Sequence, residues 1–204
     1  MLTGIEYAHS DEKRRFDRYA VRRARPFALA AQYAIAKSTN NQSPVFMQER
    51  IGANEVPFQA YKLRTLKSDN VTPINDITAL MRRAGLDELI QYKNILEGAM
   101  SMTARRPLTP QEYEEAFDIG DPKTVDAYRK IVVPTRPGLV GSFVIKTHLG
   151  QIDDDEMKRE RLELDIQDVI DGSYENDKKL FWTAIKLGFG NKMTRGDIRP
   201  VEPR

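Results

Sequence analysis

The sequence has no cysteine and only two histidines, His9 and His148. The lack of cysteine excludes disulfides, thiolate metal sites and cysteine nucleophiles, and two histidines are too few for a histidine-rich metal centre. Long apolar runs are also missing. The best of them, residues 27–36, is far shorter than the roughly 20 residues of a membrane-spanning helix. With no secretory signal pattern at the N-terminus, these absences predict a cytoplasmic protein that does not fully cross a bilayer.

Composition predicts a single folded domain. The 204 residues are enough for one domain and too few for two full ones. Charged residues make up 30% of the chain and hydrophobic residues 40%, which excludes collagen-like, low-complexity and wholly disordered chains. The net charge of +2 hides an uneven distribution, because the segment from Lys13 to Arg25 contains seven basic residues and one acidic residue, Asp17.

That basic segment belongs to a long predicted helix, residues 11–38, in which Pro26 is the one helix breaker. Four arginines recur at helical spacing and form one cationic row, here called the basic stripe: Arg14, Arg18, Arg22 and Arg25. Such a stripe suits an anionic surface. A solvated helix face explains it equally well, because basic rows are common on helices that bind nothing.

The rest of the chain predicts a helix-rich α+β fold with a small β-hairpin. Short strands at residues 45–47 and 58–61 flank the turn at residues 52–54. Thr109 and Glu112 have the spacing of a capping box that opens a helix. Further helices are predicted to start at Pro73, at Asp87 and in the acidic run 153–156, and to cover residues 178–187.

Two predicted helices joined at Gly85 could form a helix-turn-helix, and a basic arm would favour nucleic acid as its partner. The second helix, however, begins with Asp87 and Glu88. Carboxylates at that position repel DNA, whereas a recognition helix needs donors there. We therefore expect no nucleic-acid partner.

The Asp87-Glu88 pair has a structural and a chemical interpretation. Carboxylates at the start of a helix cap free backbone N–H groups and complement the helix dipole. The same position would keep a carboxylate ionised and let N–H groups bind a phosphate, which a carboxylate attacking phosphorus requires. The pattern alone leaves both interpretations open.

Five segments stand in a specific order along the chain: Pro44 to Gly52, Phe58 to Leu66, Leu86 to Ser101, Arg106-Pro107, and Arg136 to Gly141. Together they resemble the bacterial sugar transferase family, the monotopic phosphoglycosyl transferases that begin lipid-linked glycan assembly. The resemblance continues through Leu162-Glu163-Leu164-Asp165 to Thr183, and thus covers roughly residues 13–187.

The resemblance implies a two-step exchange that uses a nucleotide diphosphate sugar, magnesium and polyprenyl phosphate. Asp87 would attack the sugar-bearing phosphorus, release the nucleoside monophosphate and hold the phosphosugar covalently, until polyprenyl phosphate takes it. Glu88 would hold the magnesium ion, which neutralises diphosphate charge. The basic residues in the family blocks are expected to contact phosphates, and they are Lys62, Arg64, Arg106 and Arg136. Asp165 matches a family aspartate that is expected to lie near the metal or nucleotide.

The family begins with Lys-Arg-x-Phe-Asp, matched here by residues 13–17, followed by a re-entrant apolar helix broken at Ser-Pro. Here the break would be Arg25-Pro26, and arginines stand where apolar residues are expected. Each charge near the bilayer centre costs on the order of 2.5–3.5 kcal/mol. We therefore expect surface association through residues 13–25, with Phe16 and Tyr19 meeting anionic headgroups on the inner face of the cell membrane.

Other departures lie near the expected chemistry. Ala99 replaces a family aspartate, Ala104-Arg105 replaces Gly-Pro, and Val140 and Val144 replace a threonine and a glutamine. These losses leave open an alternative, in which the chain is a catalytically weakened member that binds nucleotide sugar or serves as a scaffold subunit.

The expected organisation is a basic helical segment over residues 1–43 in place of the re-entrant membrane helix, a catalytic domain over residues 44–190, and a loose tail over residues 191–204.

Overall fold

Helices alternate with short strands throughout the parts of the chain that the computed structural model describes, residues 2–38, 43–67, 72–83, 85–118, 120–149 and 154–190. The elements are α1 (Gly4–His9), α2 (Asp11–Ser38), β1 (Val45–Ile51), β2 (Pro57–Leu63), α3 (Asp76–Arg83), α4 (Tyr92–Glu97), β3 (Ser101–Thr103), α5 (Pro110–Asp118), α6 (Pro122–Ile131), β4 (Gly138–Val140), α7 (Ser142–Leu149), α8 (Asp154–Ile170) and α9 (Tyr174–Gly190). The predicted helix-rich α+β class with a small hairpin is confirmed.

Helix α2 has the predicted bounds and contains Pro26. The basic stripe is exposed along its length, as the spacing predicted. Phe16, however, is fully buried and packs edge-on against Tyr174 and Phe181. The expectation that Phe16 meets lipid headgroups is therefore wrong. Its ring lies on the opposite side of the helix from the arginines, where burying it stabilises the fold by roughly 2–3 kcal/mol.

The predicted hairpin is confirmed, with β1 and β2 antiparallel and Val45 opposite Leu63. Its turn carries two consecutive non-glycine residues in the left-handed region, Asn54 at φ 53° and Glu55 at φ 62°. Because side chains alternate along a strand and Arg50 lies opposite Phe58, Arg50 and Lys62 project from the same face of the hairpin.

A second, parallel pair of strands lies beside the hairpin, with Ser101 opposite Gly138 and Thr103 opposite Val140. The sequence analysis did not predict it. The pairing extends beyond the strands, since Gly138 N donates to Arg105 O at 2.7 Å. This pair fixes where the chain enters the segment Arg105 to Leu108.

Helix starts agree with the predictions where a capping pattern specifies them. The Thr109–Glu112 capping box is present, with Glu112 N donating to the Thr109 hydroxyl and Thr109 N to the Glu112 carboxylate. The helix predicted from Pro73 begins at Asp76 instead, after Asn75 caps it by accepting a hydrogen bond from Thr78 N.

The helix predicted from Asp87 is wrong. Residues 85–87 form a turn, a short 3₁₀ helix covers Leu89–Gln91, and α4 begins only at Tyr92. The 153–156 side chains and the tail 191–204 lie outside the described residues.

Two hydrophobic clusters hold the domain together. The first unites α2 with buried residues from the middle and end of the chain: Leu63, Met81, Ile90, Met100 and Phe181. The second joins α5, α6 and α8 through Tyr113, Tyr128 and Leu162. Helix α2 thus packs into the same core as residues 44–190. In the described part of the chain, no helix is both long and apolar enough to cross a membrane.

Candidate active site

A narrow pocket lies between the hairpin, the turn after α3 and strand β4. It is lined by Arg50, Ala60, Lys62, Glu88, Gln91, Arg106, Pro107, Gly138 and Leu139. Three of these side chains are cationic and one is anionic, so the pocket carries an excess of positive charge. Such a pocket attracts an anion that bears more than one charge.

The hairpin delivers two of the cations. Arg50 is buried, and its Nη1 donates to Pro107 O and to a Glu112 carboxylate oxygen, each at 3.0 Å. Its Nε is also buried and has no hydrogen-bond partner among the described residues. Lys62 Nζ lies 3.4 Å from Glu88 Oε1. The sequence analysis missed Arg50 as a site residue, although its shared strand face with Lys62 was a usable signal.

Glu88 is held by two of the cations. Arg106 donates from Nη1 to Oε2 at 3.0 Å and from Nη2 to Oε1 at 2.6 Å, and Lys62 approaches from the hairpin. Burial by itself would raise the pKa of Glu88, but Arg106 and Lys62 outweigh it and lower the pKa to about 2. Glu88 is therefore a fully ionised carboxylate at neutral pH.

Asp87 lies immediately beside this pocket without lining it. The residue is 8% exposed, and Oδ2 is 3.9 Å from Nη1 of the exposed Arg82. Burial and the charge of Glu88 raise the pKa of Asp87 to about 6, against the opposing effect of Arg82 and Lys62. Asp87 stands in a turn and not at a helix N-terminus, and its pKa is raised, so the expectation that a helix terminus favours its ionised form is wrong.

The other predicted phosphate contacts are not brought to this pocket. Arg64 donates to Ser43 O and stacks over the Phe46 ring. Arg136 donates to Met100 O and pairs with Asp17 at 3.1 Å, which ties β4 to α2. Of the predicted basic residues, the structure gathers Lys62 and Arg106 around the Asp87-Glu88 pair.

Asp165, predicted near the metal or nucleotide, is also elsewhere. It is 1% exposed inside the second hydrophobic cluster and accepts a hydrogen bond from the Tyr128 hydroxyl. Burial raises its pKa to about 7, although Arg161 and Arg105 oppose this rise. Asp165 thus belongs to a buried polar cluster rather than to the pocket.

The fit of the site to a divalent cation depends on what binds with it. Among the described residues, no three histidine, aspartate or glutamate side chains gather to form a metal cage. Magnesium, however, commonly uses one or two carboxylates together with substrate phosphates and water. Asp87 and Glu88 fit that use, provided that a phosphate-bearing ligand takes Arg106 and Lys62 from Glu88.

A carboxylate pair beside an excess of arginine and lysine has the chemistry to bind a phosphate-bearing ligand, because guanidinium groups bind phosphates bidentately. The order of segments identifies the class further. The chain matches the family described as bacterial sugar transferase over residues 13–191, and it belongs to that family.

Curated relatives agree with this assignment. The chain is 27% identical over 171 residues to a UDP-glucose:undecaprenyl-phosphate glucose-1-phosphate transferase of Escherichia coli K12, a match that covers 78% of this chain and 36% of the relative. It is 28% identical to the galactosyl transferase CpsE of Streptococcus agalactiae serotype III, covering 72% of this chain and 36% of the relative. A UDP-glucose:undecaprenyl-phosphate glucose-1-phosphate transferase of Caulobacter vibrioides is 28% identical, a match that covers 78% of this chain and 61% of the relative. The matched regions thus make up between about a third and three fifths of these relatives.

Proposed function

We propose that this chain is a phosphoglycosyl transferase that moves a sugar-1-phosphate from a nucleotide diphosphate sugar to polyprenyl phosphate and so begins a lipid-linked glycan, such as an exopolysaccharide, a capsule or a glycoprotein glycan. The observation that carries the proposal is the buried Asp87 and the half-buried Glu88 beside Arg50, Lys62 and Arg106. The names of the relatives, which act on undecaprenyl phosphate, support the same reaction class.

The exchange proceeds through Asp87. Its carboxylate oxygen forms a bond to the sugar-bearing phosphorus, the bond from that phosphorus to the bridging oxygen breaks, and the nucleoside monophosphate leaves with the electron pair. A phosphate oxygen of polyprenyl phosphate then attacks the same phosphorus and releases the Asp87 carboxylate. With a pKa of about 6, Asp87 is mostly ionised at neutral pH yet more basic than an exposed aspartate, which favours nucleophilic attack.

The cations around Glu88 provide charge stabilisation. The pocket encloses only about 10 Å³, which is room for about one water molecule. A diphosphate therefore enters as Lys62 and Arg106 turn away from Glu88 towards its phosphate oxygens. Arg50 lines the same pocket and contributes its positive charge. These groups neutralise the charge that moves between the attacking and leaving oxygens.

Magnesium is the cofactor that this chemistry calls for. Glu88 would hold the ion together with diphosphate oxygens once Arg106 and Lys62 have turned to the substrate. When bound, it supplies positive charge to the diphosphate and orients it.

The N-terminal part is proposed to keep the chain near its lipid substrate. The exposed basic stripe would adsorb to anionic headgroups and place the protein peripherally on the inner face of the cell membrane. Arg23 stacks on the half-buried Tyr19 ring at 3.6 Å, so Tyr19 extends this surface in place of Phe16. In this proposal, the exposed face of residues 13–25 contacts the membrane and residues 44–190 form the catalytic domain.

Two observations favour a second function, binding without catalysis. Both carboxylate oxygens of Glu88 already accept hydrogen bonds from Arg106, and Ala99 stands where the resemblance expects an aspartate. In that alternative, the chain binds nucleotide sugar without turnover, as a sensing or scaffold subunit.

Intact-mass spectrometry separates the two functions. Purified protein would be incubated with magnesium and a panel of nucleotide diphosphate sugars. The enzyme gains the mass of one phosphosugar, and the adduct is absent in Asp87→Asn. The control Asp126→Asn alters an exposed carboxylate that pairs with Lys130, and it should keep the adduct. Absence of an adduct with every donor, while a donor still binds in calorimetry, overturns the enzyme proposal in favour of the scaffold.

A further inference from the structure

Arg105 is one of the most buried side chains in the protein. It is 1% exposed, although its neighbour Arg106 is partly exposed and lines the pocket. Nη2 of Arg105 donates to Gly52 O at 2.9 Å, at the start of the hairpin turn. Two adjacent arginines therefore hold different parts of the molecule, with Arg105 on the hairpin turn and Arg106 on Glu88.

The backbone between them is fixed on both sides. On one side, Gly138 N donates to Arg105 O at 2.7 Å. On the other side, Ile51 N donates to Leu108 O at 2.8 Å and Arg50 donates to Pro107 O at 3.0 Å. The segment from Arg105 to Leu108, here called the strut, thus links the parallel strand pair to the hairpin. Arg106 is part of this segment.

The hairpin turn depends on such contacts. Asn54 and Glu55 both have positive φ, which costs roughly 1–2 kcal/mol for each non-glycine residue. Strain of this kind persists only where the surroundings hold it in place. Three contacts do so here: Arg105 to Gly52 O, Asn54 N to Val133 O at 2.8 Å, and the Tyr113 hydroxyl to Glu55 at 2.8 Å.

The charge of Arg105 is compensated only in part from within the core. An arginine does not lose its proton in a protein, so burying one without a counter-charge is costly. Asp165, itself 1% exposed, interacts electrostatically with Arg161 and with Arg105, but burial raises its pKa to about 7, so its negative charge is incomplete at neutral pH. Nε and Nη1 of Arg105 and Oδ1 of Asp165 have no hydrogen-bond partner among the described residues, so the two groups interact through space rather than by a direct bond.

We propose that Arg105 is a positioning residue that holds the hairpin turn onto the strut, and so sets where Lys62 and Arg106 meet Glu88. The proposal rests on the proposed function for its catalytic meaning.

The test compares three variants without any substrate. Arg105→Met removes the charge and the donors while keeping a long side chain, and Arg105→Lys restores the charge. Phe181→Leu is the matched control, because Phe181 lies in the first hydrophobic cluster, packs edge-on against Phe16 of α2 and is not among the residues that hold the turn. Amide hydrogen exchange is followed at Gly52, Asn54 and along α2, and the pKa of Glu88 is followed by carboxyl NMR.

In Arg105→Met, exchange at Gly52 and Asn54 should accelerate roughly tenfold more than exchange along α2, and the pKa of Glu88 should rise by about one unit. Arg105→Lys should recover part of both effects. Phe181→Leu should accelerate exchange along α2 and leave the Glu88 pKa in place. If Arg105→Met gives the same pattern as Phe181→Leu, Arg105 only stabilises the core and the proposal is overturned.

The transferase adduct gives a separate readout. If it forms in the wild type, its rate of formation should fall roughly tenfold or more in Arg105→Met, because a small misplacement of positioning groups is costly. If no adduct forms in any protein while the exchange and pKa effects appear as expected, the positioning role stands and the proposed function fails.

Discussion

Arg106 donates a hydrogen bond to each carboxylate oxygen of Glu88, from Nη1 to Oε2 at 3.0 Å and from Nη2 to Oε1 at 2.6 Å. A planar guanidinium binds a carboxylate and a phosphate through the same pair of donors. In this structure Arg106 is therefore paired with the Glu88 carboxylate, and a diphosphate would have to compete with that carboxylate for the same donors. The strength of the Arg106–Glu88 pair thus affects how tightly a diphosphate binds.

Removing Arg106 should change the acid stability of the protein. The folded pKa of Glu88, about 2, is below its ordinary value of 4.5, so this group contributes stability above pH 4.5 that is lost as pH falls towards 2. Arg106→Met should cost on the order of 3 kcal/mol at pH 7 and clearly less at pH 2.5. Urea unfolding at the two pH values measures this. Lys130→Met, which breaks an exposed pair, should change stability little at either pH.

Asp87 should show the opposite pH dependence. Its folded pKa is raised from 3.8 to about 6, so the native state binds more protons between these values and stability falls as pH rises through that window. Asp87→Asn should therefore stabilise the protein at pH 7 by on the order of 1–3 kcal/mol, with the gain disappearing near pH 3.5. Thermal unfolding at both pH values checks this, with Asp126→Asn as the control. If Asp87→Asn is less stable than the wild type at pH 7, the prediction is contradicted, because the ionised Asp87 carboxylate would then be stabilised by its neighbours more than its burial destabilises it.

Gly138 should tolerate no side chain. A Cβ atom there would lie 2.3 Å from Ala104 N and 2.8 Å from Thr103 C, and both of these atoms belong to the paired backbone. Gly138→Ala should cost about 3 kcal/mol or more, or prevent folding. Gly98→Ala is the matched control, since Gly98 has φ +84° and open space around it, and strain alone should cost about 1 kcal/mol. Denaturant unfolding of both variants decides the matter, and equal losses would contradict the close approach of β3 and β4.

Membrane adsorption should depend on the basic stripe and on salt. Each basic residue near an anionic surface contributes about 1 kcal/mol, so Arg18→Glu with Arg22→Glu should weaken binding to anionic vesicles at least roughly tenfold. Lys179→Glu with Lys186→Glu makes the same charge change on exposed positions of α9 and should bind more tightly than the α2 double variant. Flotation at low and high salt is the measurement. Binding that resists high salt would indicate insertion instead of adsorption.

The sequence by itself determined the elements whose signals are local. Helix α2 follows from a long run rich in alanine and arginine with Pro26 as its one helix breaker, the β1–β2 hairpin from two short strands around a glycine turn, and the start of α5 from the Thr109–Glu112 box. The linear order of the five segments also predicted the family. Each of these signals lies within a few residues or in the linear order of the chain, so none depends on knowing the tertiary contacts.

Only the tertiary structure decided which charged side chains form the site. Arg64, Arg136 and Asp165 carry the same chemistry as the residues in the pocket, yet their partners are Ser43, Asp17 and Tyr128. The parallel pair β3–β4 and the buried Arg105 were equally beyond sequence reasoning. A long cationic side chain can pair with any acceptor within its reach. Which acceptor lies within reach depends on contacts between residues that are distant in sequence, so the tertiary structure decides it.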